Sequence, residues 1–67
     1  MNRSAKRLIN ILEENGFKFK RSKGSHQVYY NPETNKTVTV PVHGKKDIPK
    51  GTFYSILREA GIDKTDF

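Results

Sequence analysis

The sequence predicts an α+β domain of order α-β-β-β-α, with a three-stranded antiparallel sheet and two helices on one of its faces. Three observations carry that expectation. An apolar stripe at helical spacing lies near each end of the chain, and each is closed by a glycine. Between the stripes, residues 17–42 contain runs with the period of two that half-buried strands show. The links between these runs are too short for parallel crossovers, so the strands form hairpins.

Ser4 is placed to cap the first helix, whose inward face is Ala5, Leu8, Ile9 and Leu12. Asn15-Gly16 ends it, with Gly16 suited to the left-handed conformation that follows a last turn. The first strand is Phe17-Lys18-Phe19-Lys20-Arg21-Ser22-Lys23, with Phe17 and Phe19 expected on its buried side. A Gly24-Ser25 turn leads to a second strand over residues 26–30. The turn Asn31-Pro32-Glu33-Thr34-Asn35 leads to a third, Thr37 to Val42, with Val38, Val40 and Val42 on one face and Thr37 and Thr39 on the other. A polar loop, His43-Gly44-Lys45-Lys46-Asp47, precedes the second helix. Pro49 fits its first turn, where a missing N–H costs nothing. Phe53, Ile56, Leu57 and Ala60 form its buried stripe, and Gly61 closes it. Both helices are expected over one side of the sheet, leaving the other side open.

A chain of 67 residues has room for a single domain, residues 1–67. A domain this size buries only about 60% of its unfolded surface, so much of it stays free for partners. There are no cysteines, hence neither a disulfide framework nor a thiolate metal site, which suits a reducing cytosol. No apolar run is long enough to span a membrane, and no signal-peptide core is present. Thirteen Lys and Arg stand against seven Asp and Glu, for a net charge of +6 and a pI of about 9.8. That balance favours a nucleic acid or an acidic protein as partner, the bland alternative being a solvated basic surface. Eleven of the thirteen cations fall within residues 1–50, and four of them (Lys18, Lys20, Arg21 and Lys23) crowd into the first strand.

His26 follows this basic strand directly after the Gly24-Ser25 turn. Imidazole takes and gives protons near neutral pH, so a polyanion held by the four cations would lie against an acid–base group. Taken alone, a histidine is more often structural or simply solvated than catalytic. Strand parity groups His26 with Val28 and Tyr30, on the side expected to face the helices. Antiparallel pairing brings His43, the other histidine, to the same end of the sheet. The two can divide base and acid roles, or they can form a local stack with no chemistry. Ser25 and His43 stand as auxiliary candidates beside His26.

Lys45, Lys46 and Lys50 lie before and at the start of the second helix, where free N–H groups and positive charge favour phosphate. The stripe Lys50, Tyr54, Arg58 reads equally well as a solvated face or a protein interface. No Gly-rich phosphate loop, His-x-x-x-His pair or Asp/Glu cluster suited to Mg²⁺ occurs, so neither a metal nor a cofactor is expected. Gly24-Ser25-His26 is not a hydrolase elbow, which needs a glycine on each side of the serine.

Several segments in order resemble the HicA (YcfA/HicA-like) family of mRNA interferase toxins. They are Asn15-Gly16-Phe17, Lys23-Gly24-Ser25-His26, Val40-Pro41-Val42-His43, Ile48-Pro49-Lys50-Gly51-Thr52-Phe53, Ile56-Leu57 and Ala60-Gly61-Ile62. The resemblance covers nearly the whole chain. It implies a fold like the double-stranded-RNA-binding domain and metal-independent cleavage of mRNA in the cytoplasm, with growth arrest as the outcome. It also implies the toxin role in a type II toxin–antitoxin system, with a HicB-type antitoxin as inhibitor. The toxin would be a monomer alone and part of a hetero-oligomer with the antitoxin. The family's catalytic histidine falls on His26. Lys18, Lys20, Arg21, Lys23, Lys45, Lys46 and Lys50 are the RNA-binding candidates from the residues themselves. Two other readings stay open at this point. One is a non-catalytic RNA-binding domain of the double-stranded-RNA-binding type, which shares the element order. The other is a protein-interaction module whose basic face docks an acidic partner.

Overall fold

The computed structural model describes residues 3–42, 44 and 46–62. Helix α1 spans Ala5–Glu14, and strands β1 (Lys18–Lys23), β2 (His26–Asn31) and β3 (Lys36–Pro41) follow, before helix α2 (Lys50–Glu59). The strands are antiparallel in the order β1-β2-β3, each beside its neighbour in sequence. This is the expected α-β-β-β-α architecture, with an open sheet of the double-stranded-RNA-binding-domain kind.

Local chemistry fixes the helix ends. The Ser4 hydroxyl accepts the Arg7 backbone N–H at 3.1 Å, a cap worth about 1 kcal/mol. Both helices then stop in the same way. Gly16 N–H donates to Glu13 C=O and Phe17 N–H to Leu12 C=O, at 3.1 and 3.0 Å. Gly61 N–H donates to Arg58 C=O and Ile62 N–H to Leu57 C=O, both at 3.0 Å. These are Schellman motifs, which need the left-handed φ of +92° at Gly16 and +77° at Gly61. The residue after each glycine, Phe17 or Ile62, is buried. The chain thus leaves each helix by sinking an apolar side chain into the core.

One cluster unites the two helices with the sheet. Leu8, Ile11, Leu12, Phe53, Ile56 and Leu57 meet Tyr29, Val38 and Val40 there. Ile11 belongs to this core although the expected stripe omitted it, while Ala5 and Ile9 sit at its margin. The helix is rotated so that Leu8, Ile11 and Leu12 form the inward ridge. Val42 lies just past the end of β3, half-buried against the core.

Both helices pack over β3, and β1 is the strand farthest from it in the sheet. Phe19 therefore departs from expectation. It is 55% exposed, and every residue of β1 is exposed. Its ring keeps an edge-on contact with Tyr29, 5.8 Å between centroids. Asn31 is the buried polar side chain among the described residues. Its amide donates to Asn15 C=O at 3.1 Å and its Oδ1 accepts the Glu33 and Thr34 N–H groups at 2.9 and 3.4 Å. These bonds tie the β2–β3 turn to the end of α1 and satisfy a group that would be costly to bury unpaired.

Candidate functional site

The pairing register sorts the sheet residues onto two faces, because directly paired residues share a side. Tyr29 pairs with Val38 and Gln27 with Val40, and both valines are in the core. That is the helix-covered face. Lys23, His26 and Pro41 form one row of the opposite face. Arg21, Val28 and Thr39 form the next row, and Lys18, Tyr30 and Thr37 the third. The grouping of His26 with Val28 and Tyr30 holds, but its side does not. These residues point to the open face, away from the helices. Two marks of that face agree. His26 is exposed, and Val28, though buried, stands apart from the core cluster.

A β-bulge assembles the cations. Phe19 pairs with Tyr29 and Arg21 with Val28, so Lys20 is an extra residue in β1. Strict alternation would set Arg21 and Lys23 on the side of Phe19. With the extra residue, Lys18, Arg21 and Lys23 all fall on the open face. Lys20 joins them, its ammonium 5.4 Å from the centroid of the Tyr30 ring. A signal for this was available in the sequence. Two adjacent cations, Lys20-Arg21, interrupt a run that otherwise alternates.

His26 opens the central strand, beside Lys23 on one flank and Pro41 on the other. It also lines a groove of about 800 Å³ running between β3 and the start of α2. Lys46, Thr39, Thr52 and Ser55 line the same groove, together with the carboxylates Asp47 and Glu59. Of these, Lys46 alone was a site candidate from sequence. The others are isolated polar residues with no motif, and only the fold brings them together. Val42 N–H donates to Ser25 C=O at 2.7 Å, which closes the end of the β2–β3 pair beside His26. That bond places a backbone carbonyl role on Ser25, whose residue is exposed. It also fixes the hydrogen-bonding phase of β3, so that Thr37 and Thr39 turn their backbone groups to the free edge. Pro41 has no N–H to offer there.

Lys50 is exposed at the first residue of α2, and Tyr54 and Arg58 follow along that helix, Tyr54 half-buried against the Phe53 ring. The structure therefore brings His26 together with Lys18, Lys20, Arg21 and Lys23 on one face, and with Lys46 in one groove. His43 and Lys45 lie outside the described residues. Among the described residues, no three His, Cys, Asp or Glu side chains come together as a metal site. No helix among them is long and apolar enough to cross a membrane.

Fold and site together define a small, basic α+β domain that exposes a histidine on the cationic, helix-free side of its sheet. The family model described as HicA toxin of bacterial toxin-antitoxin matches residues 5–62. The chain belongs to the HicA toxin family, and membership in a toxin–antitoxin system makes an antitoxin its partner. No curated protein matches the chain.

Proposed function

We propose that this toxin is a metal-independent endoribonuclease that cleaves mRNA in the cytoplasm, with His26 as its acid–base group and a HicB-type protein as its antitoxin. The observation that carries the reading is the shared face. An exposed histidine sits in register with Lys23, and Arg21 and Lys18 continue the row of positive charge. RNA contains its own nucleophile. The 2′-oxygen attacks the adjacent phosphorus, the bond from phosphorus to the 5′-oxygen breaks, and a 2′,3′-cyclic phosphate and a 5′-hydroxyl result. One proton leaves the 2′-oxygen and one reaches the 5′-oxygen. His26 takes the first or gives the second, and water handles the other. Lys23, paired with His26 in the sheet, and Lys46, in the same groove, offset the charge that builds on the phosphate oxygens.

The test is His26→Ala. Cleavage of an RNA substrate should fall about 10²–10⁴-fold, the usual worth of one acid–base group. Growth arrest should vanish, and the circular dichroism spectrum should stay that of wild type, because the side chain is exposed. Wild-type cleavage should persist in excess EDTA. Equal growth arrest by the two proteins would remove His26 from the mechanism.

A further inference from the structure

We propose that Tyr30 and Lys20 form a nucleobase-stacking subsite on the open face, which holds a base a few nucleotides from the phosphate at His26. This inference rests on the RNA-cleaving reading and gives its surface a second contact of a different kind. Tyr30 shares the open face and the strand with His26, and it is half-buried, so one part of its ring is supported and another is accessible. Its hydroxyl donates to Asn35 Oδ1 at 2.9 Å, which holds the tip of the ring in place. Asn35 is itself set in the left-handed region, φ 59°, at the end of the tight β2–β3 turn. A ring fixed in advance loses little freedom when a ligand stacks on it.

Lys20 marks the place a base would take. Its ammonium lies over the Tyr30 ring because the bulge carries it there. Stacking of a base on an aromatic ring is worth more than an exposed cation–π contact. A base therefore displaces the ammonium, which needs only to swing aside to meet a backbone phosphate. The same two residues serve both the π-face and the charge of one nucleotide. Such a contact tolerates any base, since every base has a π-face.

The spacing sets the register. His26 and Tyr30 are four residues apart in β2, about 13 Å at roughly 3.3 Å per residue. Stacked nucleotides rise about 3.4 Å each and splayed ones more, so two to four nucleotides span that distance. Val28 forms the apolar floor between them. An open face with an accessible tyrosine ring and a row of cations suits an unpaired strand whose bases turn toward the protein, since a duplex keeps its bases stacked inside.

The experiment uses the wild-type chain and short single-stranded RNAs that carry 2′-O-methyl sugars throughout, so that binding is read without cleavage. A 2-aminopurine is placed in turn at each position along the strand. One position should show strong fluorescence quenching on binding. Tyr30→Leu should abolish the quenching and weaken binding about 5- to 150-fold. Tyr30→Phe should keep the quenching and lose far less binding than Tyr30→Leu, because the ring makes the contact and the hydroxyl only steadies it. Tyr30→Leu binding as wild type does would overturn the subsite. So would equal losses in the Phe and Leu variants, which would trace the effect to the Asn35 hydrogen bond. Quenching that depends on Tyr30, with no cleavage of the all-ribose RNA, would support the subsite and sink the nuclease reading instead.

Discussion

Tyr29 and Tyr30 are neighbours in β2, yet they meet different surroundings. Tyr29 is 4% exposed, its ring in the core and its hydroxyl donating to Gln27 Oε1 at 2.9 Å. Burial, helped by the nearby negative charge of Glu13, raises its phenol above the ordinary value of 10.0. Tyr30 is half-exposed, with a lysine ammonium over its ring. The pleat of one strand has divided the sheet into a helix-covered face that holds the fold and an open face that gathers the cations. Along β2 the two faces alternate residue by residue. Changes on the inner face should alter stability, and changes on the outer face should alter binding.

The largest expected effect belongs to the inner face. Phe53 is fully buried beneath the sheet, and Phe53→Ala should cost about 3–5 kcal/mol, a large share of the roughly 5–15 kcal/mol that holds a domain together. Thr39→Ala on the outer face should stay within about 0.5 kcal/mol of wild type. Urea unfolding followed by circular dichroism reads both. Comparable losses would break the division between faces.

An intermediate effect concerns the outer face alone. Replacing Lys18, Arg21 and Lys23 with glutamate should leave the urea midpoint close to wild type while RNA affinity drops. The log–log dependence of affinity on salt should flatten by roughly 0.7 for each phosphate that is no longer neutralised. If the slope stays as it was, RNA follows Lys46 and Lys50 instead, and the same reversal at those two positions should then change it.

The smallest effect reads the inner-face Tyr29 by pH. Because the folded state holds the Tyr29 proton more tightly than the unfolded chain does, its contribution is fully present below pH 10 and is lost as pH rises through the raised value. Tyr29→Phe should thus lessen the fall in stability above pH 10, measured against wild type at the same pH. Alkaline stability curves that run parallel for wild type and Tyr29→Phe would contradict this assignment.

The elements were legible because their signals are local. Ser4, the two glycine stops and the stripe Phe53, Ile56, Leu57, Ala60 each act within one or two helical turns, and Val38 and Val40 take the inward face that their alternation implies. What the sequence concealed depends on distant parts of the chain. Phe19 alternates like a buried residue, but both helices settle over β3, and nothing in β1 records that. The parity of His26 was readable, whereas its side depended on which face the helices chose. Thr52, Ser55 and Glu59 join the His26 groove only because α2 lies beside β3. The family resemblance made His26 a candidate through its neighbours in sequence, and the bulge at Lys20 then explains how four cations share its face.

The bulge also bears on how the length of this gene can change. Lys20 is the one residue of β1 with no partner of its own across the β1–β2 ladder. Loss of its codon would straighten the strand, keep Phe19 beside Tyr29 and Arg21 beside Val28, and remove a single charge. Gain of a codon between Arg21 and the Gly24 turn has no such slack to use, since one added residue inverts the side chains on one side of it. The fold should therefore tolerate shortening at residue 20 and resist lengthening nearby. A chain lacking Lys20 is expected to fold with the wild-type dichroism spectrum and urea midpoint, and failure to fold would show that the extra residue is needed for the sheet itself.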